Sequence, residues 1–251
     1  AIYGAQAAGG VILVTTKKGA GAISVEYTNL TGIDWAMNIP DRPTLLEEVE
    51  YSNLAQTNAG FPAEYSEWEI GNILEGLEYV DHPTAPNNAY YYNTKPLISE
   101  ILRKYDFTQN HNISLKGGTK DMNYFLSLGK YRQNGIFKVG PDGLDRYNGR
   151  FNVGTILHKY LLFDANLSYS LHKQEAPYTG SSGLGLLFET FRYRQRYPLF
   201  TPEGRYNGYG TNNVYARLKE GGYNNFDRNF FDGVFSFRVP NLVKGLVIRG
   251  I

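Results

Sequence analysis

The sequence predicts an all-β protein, built as part of an antiparallel transmembrane β-barrel with about seven strands and long loops that carry short helices. Three observations lead to this fold class. Segment after segment alternates apolar and polar side chains. The composition, with 21 Tyr, 14 Phe and 28 Gly against 2 Met and no Cys, favours strands and turns over helices. The connections between the strands are alternately short and very long, as in outer-membrane barrels.

The clearest strand runs from Leu161 to Leu171. One of its faces carries only apolar side chains, and the other carries mainly polar ones. The apolar face consists of Leu161, Phe163, Ala165, Leu167, Tyr169 and Leu171. A tilted barrel strand needs about 9 to 11 residues to cross a bilayer, and this segment has that length.

The same alternation recurs along the chain and predicts seven strands. Between Arg146 and Ile156 the polar face carries Asn148, Arg150 and Asn152, which suits a water-filled or plugged lumen better than a dry core. No apolar run approaches the ~18 residues of a membrane helix, so helical spans are excluded. The predicted strands cover residues 22 to 33, 106 to 117, 122 to 133, 145 to 157, 160 to 172, 229 to 239 and 245 to 251.

Two long connections, residues 34 to 105 and 173 to 228, separate the hairpins. The first one contains a helix signature, because Thr44 can cap a helix, Glu47 follows three residues later, and apolar residues then recur at helical spacing. A second short helix is predicted from Pro96 to Tyr105. We expect the apolar faces of these helices to pack onto neighbouring loops.

Charge is divided between the two long connections, although the net charge is only +1. The stretch from Asp34 to Asp81 has eleven acidic residues and Arg42 as its only basic one. Its acidic cluster could bind Ca²⁺ through oxygen ligands, but the spacing matches no calcium loop, so a solvated face is expected. The acidic cluster consists of Glu64, Glu67, Glu69, Glu75, Glu78 and Asp81.

The basic and aromatic stretch from 192 to 205 could contact nucleic acid, but a solvated loop is the favoured interpretation.

No catalytic residue, metal site or cofactor site is predicted. The four histidines lack the spacing of a metal-binding helix, and no nucleophile elbow is present. Four aromatic residues are candidate ligand contacts, because flat rings stack on sugars: Trp68, Tyr90, Tyr91 and Tyr92. The alternative is that they pack within the loops or belong to an aromatic girdle.

The opening stretch, Ala1 to Gly19, combines small residues and glycines with a β-branched run that ends in Lys-Lys-Gly. By itself it predicts a tight turn followed by a buried strand. It also resembles the plug-end signature of the SusC/RagA family of TonB-dependent outer-membrane transporters, at Tyr3, Gly4, Gly10, Thr15, Thr16, Lys17 and Gly19. Gln6 stands where that family usually has Arg, and Gly9 where it usually has Asn. Further segments, His111 to Thr119, Asn123 to Gly129 and Arg146-Tyr147, resemble the first barrel hairpins of the same family.

This resemblance implies a barrel of about 22 strands that is filled by a plug. Residues 1 to 19 would be the C-terminal end of the plug, and residues 20 to 251 the N-terminal part of the barrel. The expected function is import of oligosaccharides, or of peptides, across the outer membrane. The implied partners are a SusD-like surface lipoprotein, the TonB complex, the transported substrate and outer-membrane lipid, but no nucleic acid. The absence of a signal peptide is expected to reflect truncation.

Two other function classes remain open at this stage. A secreted carbohydrate-binding β-sandwich would also have alternating strands, but their apolar faces would meet in a dry core. An enzyme embedded in a barrel would need acidic and histidine side chains clustered at the loop ends of the strands. The sequence offers no such cluster.

Overall fold

A computed structural model of the chain describes residues 10, 17, 19–81, 89–92, 97–158, 161–178, 185–208, 213–240 and 246–250. Every structural statement below concerns these residues. None of their helices has the length and apolar character needed to cross a membrane.

The predicted all-β, antiparallel architecture is confirmed. Seven strands form one sheet in the order β1-β4-β5-β6-β7-β8-β9, and each pairs antiparallel with its neighbours. Except for the two-stranded excursion by β2 and β3 within the first long connection, strand order follows chain order. The strands are β1 (Ser24–Trp35), β2 (Tyr79–Asp81), β3 (Ala89–Tyr91), β4 (Tyr105–Gly118), β5 (Met122–Asn134), β6 (Gly143–His158), β7 (Leu161–Pro177), β8 (Tyr223–Val239) and β9 (Ile248–Gly250).

The observed bounds differ from the predicted ones mainly at the loop end of the β7–β8 hairpin. β7 continues to Pro177, and β8 begins at Tyr223. The two strands pair over this whole extension, for example at Ala176 and Asn224. The added residues are largely polar, so backbone hydrogen bonds hold a segment in which alternation gives no signal. Residues 241 to 245, which follow β8 in the chain, lie outside the described residues.

Each face of the sheet has its own chemical character. Paired positions across β1, β4, β5, β6 and β7 align Val25, Leu115, Leu126, Phe151 and Leu167 in one apolar row. The polar row starts one residue further along β5, at Ser127. Its members on the next three strands are Arg150, Ser168 and Asp232. The apolar face is solvent-exposed in this chain, with Leu128 exposed by 53% and Phe231 by 69%.

The sandwich alternative is wrong for this fold. In the described part of the chain, no second large sheet lies against the apolar face; the remaining sheet has only two short strands. The large buried clusters lie instead among the loops. A sandwich would bury its apolar faces against each other.

Five helices occur in the described parts of the two long connections and the segments beside them. The predicted capping box is confirmed, because Thr44 and Glu47 cap α1 (Leu45–Asn58) reciprocally. The second predicted helix is shorter, α3 (Leu97–Ile101), because the chain enters β4 at Tyr105. Sequence reasoning missed α2 (Glu67–Leu74), although Ser66 and Glu69 form a second capping box. It also missed α4 (Gly185–Arg192) and α5 (Val214–Glu220).

The two long connections fold together, and we call residues 36 to 104 and 178 to 222 the loop cap. One buried cluster lies within the first connection, and a second one joins both connections to the β5–β6 turn through Phe137. The expected packing of helices against neighbouring loops is therefore confirmed. The first cluster consists of Leu45, Val49, Tyr65, Ile73 and Tyr92. The second consists of Leu97, Ile101, Leu102, Phe137, Leu186, Tyr193, Leu199, Val214 and Leu218.

Candidate functional site: the polar face and the loop cap

The chain crosses three strands of the sheet before it enters β1. Asn152 of β6 donates a hydrogen bond from Nδ2 to the Lys17 carbonyl oxygen, 2.8 Å away. Gly19 then lies against the backbone of β5 and β4, and the Gly21 carbonyl accepts a hydrogen bond from Gly118 N at 2.9 Å. Because the Asn152 side chain belongs to the polar face, Lys17 lies on that face of the sheet. We call residues 17 and 19 to 21 the crossing segment.

Gly19 occupies a space that admits no side chain. A Cβ atom at this position would overlap the backbone carbonyl oxygens of Tyr124 and Gly117. The end of a flexible side chain could rotate to make room, but backbone atoms in a paired ladder cannot. Gly19 is buried, and the close approach of its backbone to these two carbonyl oxygens requires glycine.

A small part of the polar face is buried beside the crossing segment. Asn152 is 3% exposed, and Phe125, an aromatic residue on this otherwise polar face, is 6% exposed. Phe125 and Lys17 line the same recess, which has a volume of about 450 Å³. The other lining residues are mainly polar and include Asn112, Ser127, Asn148, Arg150, Ser168, Ser170 and Asp232. Such a surface offers hydrogen bonds and charges of both signs to water or to a polar ligand.

The structure describes three of the predicted signature residues. Gly10 has a positive φ of 110°, which favours glycine, while Lys17 and Gly19 belong to the crossing segment. Tyr3, Gly4, Thr15 and Thr16 lie outside the described residues. Sequence reasoning named Lys17 and Gly19, and it placed Asn152 on the polar face, but it did not predict the hydrogen bond between Asn152 and Lys17.

Opposite charges join the two long connections within the loop cap. Arg194 donates from Nε to Glu48 at 2.8 Å, and it also pairs with Glu64. Its Nη2 lies 2.9 Å from the Tyr65 hydroxyl. Burial alone would lower the pKa of Arg194, but hydrogen bonds to Glu64 and Glu48 raise it overall. The guanidinium therefore stays charged over all ordinary pH values.

A second ion pair is more deeply buried. Arg196 donates from Nη2 to Glu69 at 2.9 Å, and the exposed fractions of the two side chains are 7% and 9%. The Arg196 guanidinium also lies 4.5 Å from the ring centroid of Tyr65, which is a cation–π distance. The predictions of a solvated acidic face and a solvated basic loop are therefore wrong for Glu64, Glu69, Arg194 and Arg196. At these positions the charges of the two segments are paired with each other.

Arg42, in the first connection, donates hydrogen bonds to the second connection. Its guanidinium donates to Thr190 O at 3.0 Å and also to Tyr193 O, at the C-terminal end of α4. Carbonyl groups at a helix end have no partner within the helix, so a cation is favourable there. Burial lowers the pKa of Arg42, and the nearby Glu48 carboxylate partly offsets this effect.

Two open clefts flank the segment that contains Arg42. Each has a volume of about 640 Å³. The first is mainly apolar, with Ile39, Leu46, Ile73 and Ile98 in its walls. The second combines aromatic and charged side chains, and its walls include Tyr51, Glu64, Phe191, Arg192 and Arg194.

The candidate ligand contacts do not form one described cluster. Trp68 lies on α2 and is 42% exposed, whereas Tyr92 is buried in the first core cluster, with 1% exposure. The side chains of Tyr90 and Tyr91 lie outside the described residues. Neither 640 Å³ cleft has Trp68 or Tyr92 in its wall. Within the described ranges, no three His, Cys, Asp or Glu side chains are placed to hold a metal ion.

Replacing Arg196 by Ala should destabilise the loop cap by roughly 3 to 5 kcal/mol, because Glu69 would remain buried without its cation. Hydrogen exchange of the α2 amides in the full-length protein measures this loss. Arg192→Ala is the matched control, since Arg192 is exposed. The double variant Arg196→Met/Glu69→Gln should recover much of the protection, because it removes both charges and Gln can keep the cap with Ser66. Equal exchange in Arg196→Ala and Arg192→Ala would contradict the expectation.

Tyr193 should make the loop cap sensitive to alkali. Burial, with Tyr197 nearby, raises the pKa of Tyr193 to about 12. Below pH ~10 the Tyr193 phenol is neutral in both the folded and the unfolded chain. Between pH ~10 and the pKa of the folded state, the phenol ionises in the unfolded chain only, so the free energy of unfolding falls as the pH rises. Thermal denaturation should show a smaller loss for Tyr193→Phe than for wild type in this range. The hydroxyl has no hydrogen-bond partner among the described residues, so its removal should cost little at neutral pH. Tyr51→Phe, at an exposed position, is the control; a Tyr193→Phe profile that matches it would refute the assignment.

Comparison with known proteins finds relatives of one kind. The chain is 29% identical over 211 residues to TonB-dependent receptor P26 of Formosa agariphila, an alignment that covers 83% of this chain and 19% of the relative. It is 22% identical over 255 aligned residues to TonB-dependent receptor P39 of the same organism, covering 99% of this chain and 22% of the relative. The chain thus spans about a fifth of the length of these curated relatives. No family model matches it.

Solved structures share the fold. The RagAB peptide transporter superposes with a TM-score of 0.66 at 20% identity, covering 99% of this chain and 30% of that chain. The RagAB peptide importer in its "closed-closed" state gives 0.65 at 22% identity, with the same coverage. The curated relatives and this shared fold confirm the resemblance that the sequence predicted: the chain is similar to part of a SusC/RagA-like TonB-dependent transporter.

Proposed function

We propose that this chain forms part of the wall and the outer loops of a TonB-dependent importer in the bacterial outer membrane. The observation that carries the proposal is the two-faced sheet, whose apolar side is exposed and whose polar side is crossed by the N-terminal segment. The relatives, which are receptors and transporters by name, support it. In this role the chain binds and conducts a solute and catalyses no reaction.

The apolar face has the dimensions of a lipid-facing surface. On β7 it extends from Phe163 to Leu171, and at ~3.3 Å per residue and a barrel tilt of about 40° this spans roughly 20 Å of membrane depth. Toward the loop end, the next row on this face is charged, with Arg132, Asp145, Lys173 and Asp227. This change from apolar to charged residues supports a boundary between lipid and water at that row.

In the same proposal, residues 1 to 19 are the C-terminal end of a plug, and residues 20 to 251 belong to the barrel. The contacts of Lys17 and Gly19 support this division, because they bring the N-terminal segment onto the polar face rather than the apolar one. The signature residues would then hold the end of the plug against the wall. An inner wall with serine, asparagine and arginine side chains suits a hydrated lumen.

The substrate and the partners are proposed at the level of chemical class. We infer import of an oligosaccharide or a peptide, with a SusD-like lipoprotein over the loop cap and TonB acting through the plug. RagAB is a peptide transporter by name, which supports the peptide alternative. Trp68 remains a predicted ligand contact, because its ring is partly exposed on α2.

A pair of adjacent substitutions on β7 tests the orientation of the wall. Leu167→Arg would place a charge on the lipid side and should cost about 2 to 4 kcal/mol at mid-membrane depth. Ser168→Arg, its matched control, places the same residue on the polar side beside Asp232 and should be tolerated. Heat-modifiable gel mobility of the full-length protein in outer membranes reports assembly. If both variants assemble equally well, the proposed orientation is wrong.

Uptake tests the activity itself. A strain that lacks the full-length gene is grown on defined oligosaccharides or on defined peptides as the sole nutrient, beside a strain that lacks TonB. Growth loss on one of these nutrients in both strains, restored by the gene, would support the proposal and identify the substrate class. Normal growth of the gene-deleted strain on every nutrient that requires TonB would refute it.

A further inference from the structure

We propose that Asn152 and Gly19 are positioning residues that fasten the crossing segment to the barrel wall, so that any displacement of the preceding plug segment stops at this point. The consequence for transport rests on the function proposed above. The contacts themselves do not. They describe how a fixed junction is built from one side-chain amide and one glycine.

Asn152 provides the polar half of the junction. Its carboxamide is 3% exposed and donates to a backbone carbonyl rather than to a side chain. Such a bond is independent of the residue type at position 17, and it is partly buried, since Asn152 is buried and Lys17 is exposed. On the same strand and the same face, Asn148 lies in the open recess and is exposed. Two asparagines on one strand face therefore have different surroundings, and only Asn152 holds the Lys17 carbonyl.

Gly19 provides the steric half. The backbone at position 19 lies closer to the carbonyl oxygens of Tyr124 and Gly117 than any residue with a Cβ could lie. Tyr124 and Gly117 are paired with each other in the β4–β5 ladder, so neither carbonyl can move away without disturbing that pairing. The crossing segment is therefore seated on a rigid part of the sheet.

The contacts follow one another along the chain. A pull transmitted from residues before Lys17 reaches the Asn152 hydrogen bond first, then the packing of Gly19, and then the bond from Gly118 N to Gly21 O. Behind these lies β1, whose 12 residues all pair with β4. Each contact is single and weak, whereas the strand behind them is held along its whole length. The junction can thus limit displacement without making the wall itself move.

Mobility of the crossing segment in the full-length receptor tests the proposal. Ala20 is exposed and lies within the segment, so a nitroxide attached to Ala20→Cys reports its motion without filling a buried space. The spectrum is compared among wild type, Asn152→Ala, Asn152→Asp and the matched control Asn148→Ala. Asp has the size of Asn, and in its ionised form it cannot donate to a carbonyl. The measurement contains neither substrate nor TonB, so its outcome is independent of what is transported.

In both Asn152 variants we expect the ratio of mobile to immobile nitroxide to rise by up to roughly tenfold, which corresponds to the loss of one partly buried hydrogen bond. Asn148→Ala should match wild type. Asn152 variants that match Asn148→Ala would overturn the proposal. A rise in all three variants would also overturn it, because the effect would then belong to any change on this face.

A glycine substitution tests the steric half separately. Gly19→Ala should either prevent assembly, seen as loss of heat-modifiable mobility, or assemble with a mobile crossing segment. Gly71→Ala is the control, since a Cβ at Gly71 meets no atom within 4 Å. A Gly19→Ala receptor that assembles with the immobile spectrum of wild type would contradict the assignment of Gly19.

Discussion

The continuous antiparallel ladder from β1 to β9 is the constraint on which the rest of this structure depends. Because side chains alternate along every strand and the register is maintained from strand to strand, the sheet has one apolar and one polar side. No large second layer among the described residues covers the apolar side. Both the crossing segment and the recess lie on the polar side of this sheet.

The loop cap is stabilised by its own contacts, because its buried clusters do not include the apolar face of the sheet. Two connections that leave the sheet at different hairpins meet through apolar packing and through charges of opposite sign. Desolvation offsets much of the attraction within the buried Arg196–Glu69 pair, but removal of either partner would leave the other charge buried alone. Arg42 adds a bond in the opposite direction, onto the end of α4. Together these contacts join the two connections into one packed unit.

Much of the fold could be read from local patterns. Strand positions such as those in β5 and β6 were predictable because residues two positions apart are both apolar or both polar. The start of α1 was predictable from its capping residues, Thr44 and Glu47. The polar extensions of β7 and β8 were not predictable, because only their mutual pairing holds them. The pairing of Arg194 with Glu48 and Glu64, and of Arg196 with Glu69, was also hidden, since a charged residue has no local signal that distinguishes a solvated position from a buried pair.

By itself, the sequence determined the strands, the two faces of the sheet, the alternation of short and long connections, and the resemblance carried by the opening residues. The tertiary structure alone decided where Lys17 and Gly19 lie and what they contact. Asn152 lies far from Lys17 along the chain, and the requirement for glycine at position 19 comes from carbonyl oxygens on two other strands. Alternation is a property of neighbouring residues and is visible in the chain, whereas a close approach between distant backbones exists only after the sheet has formed.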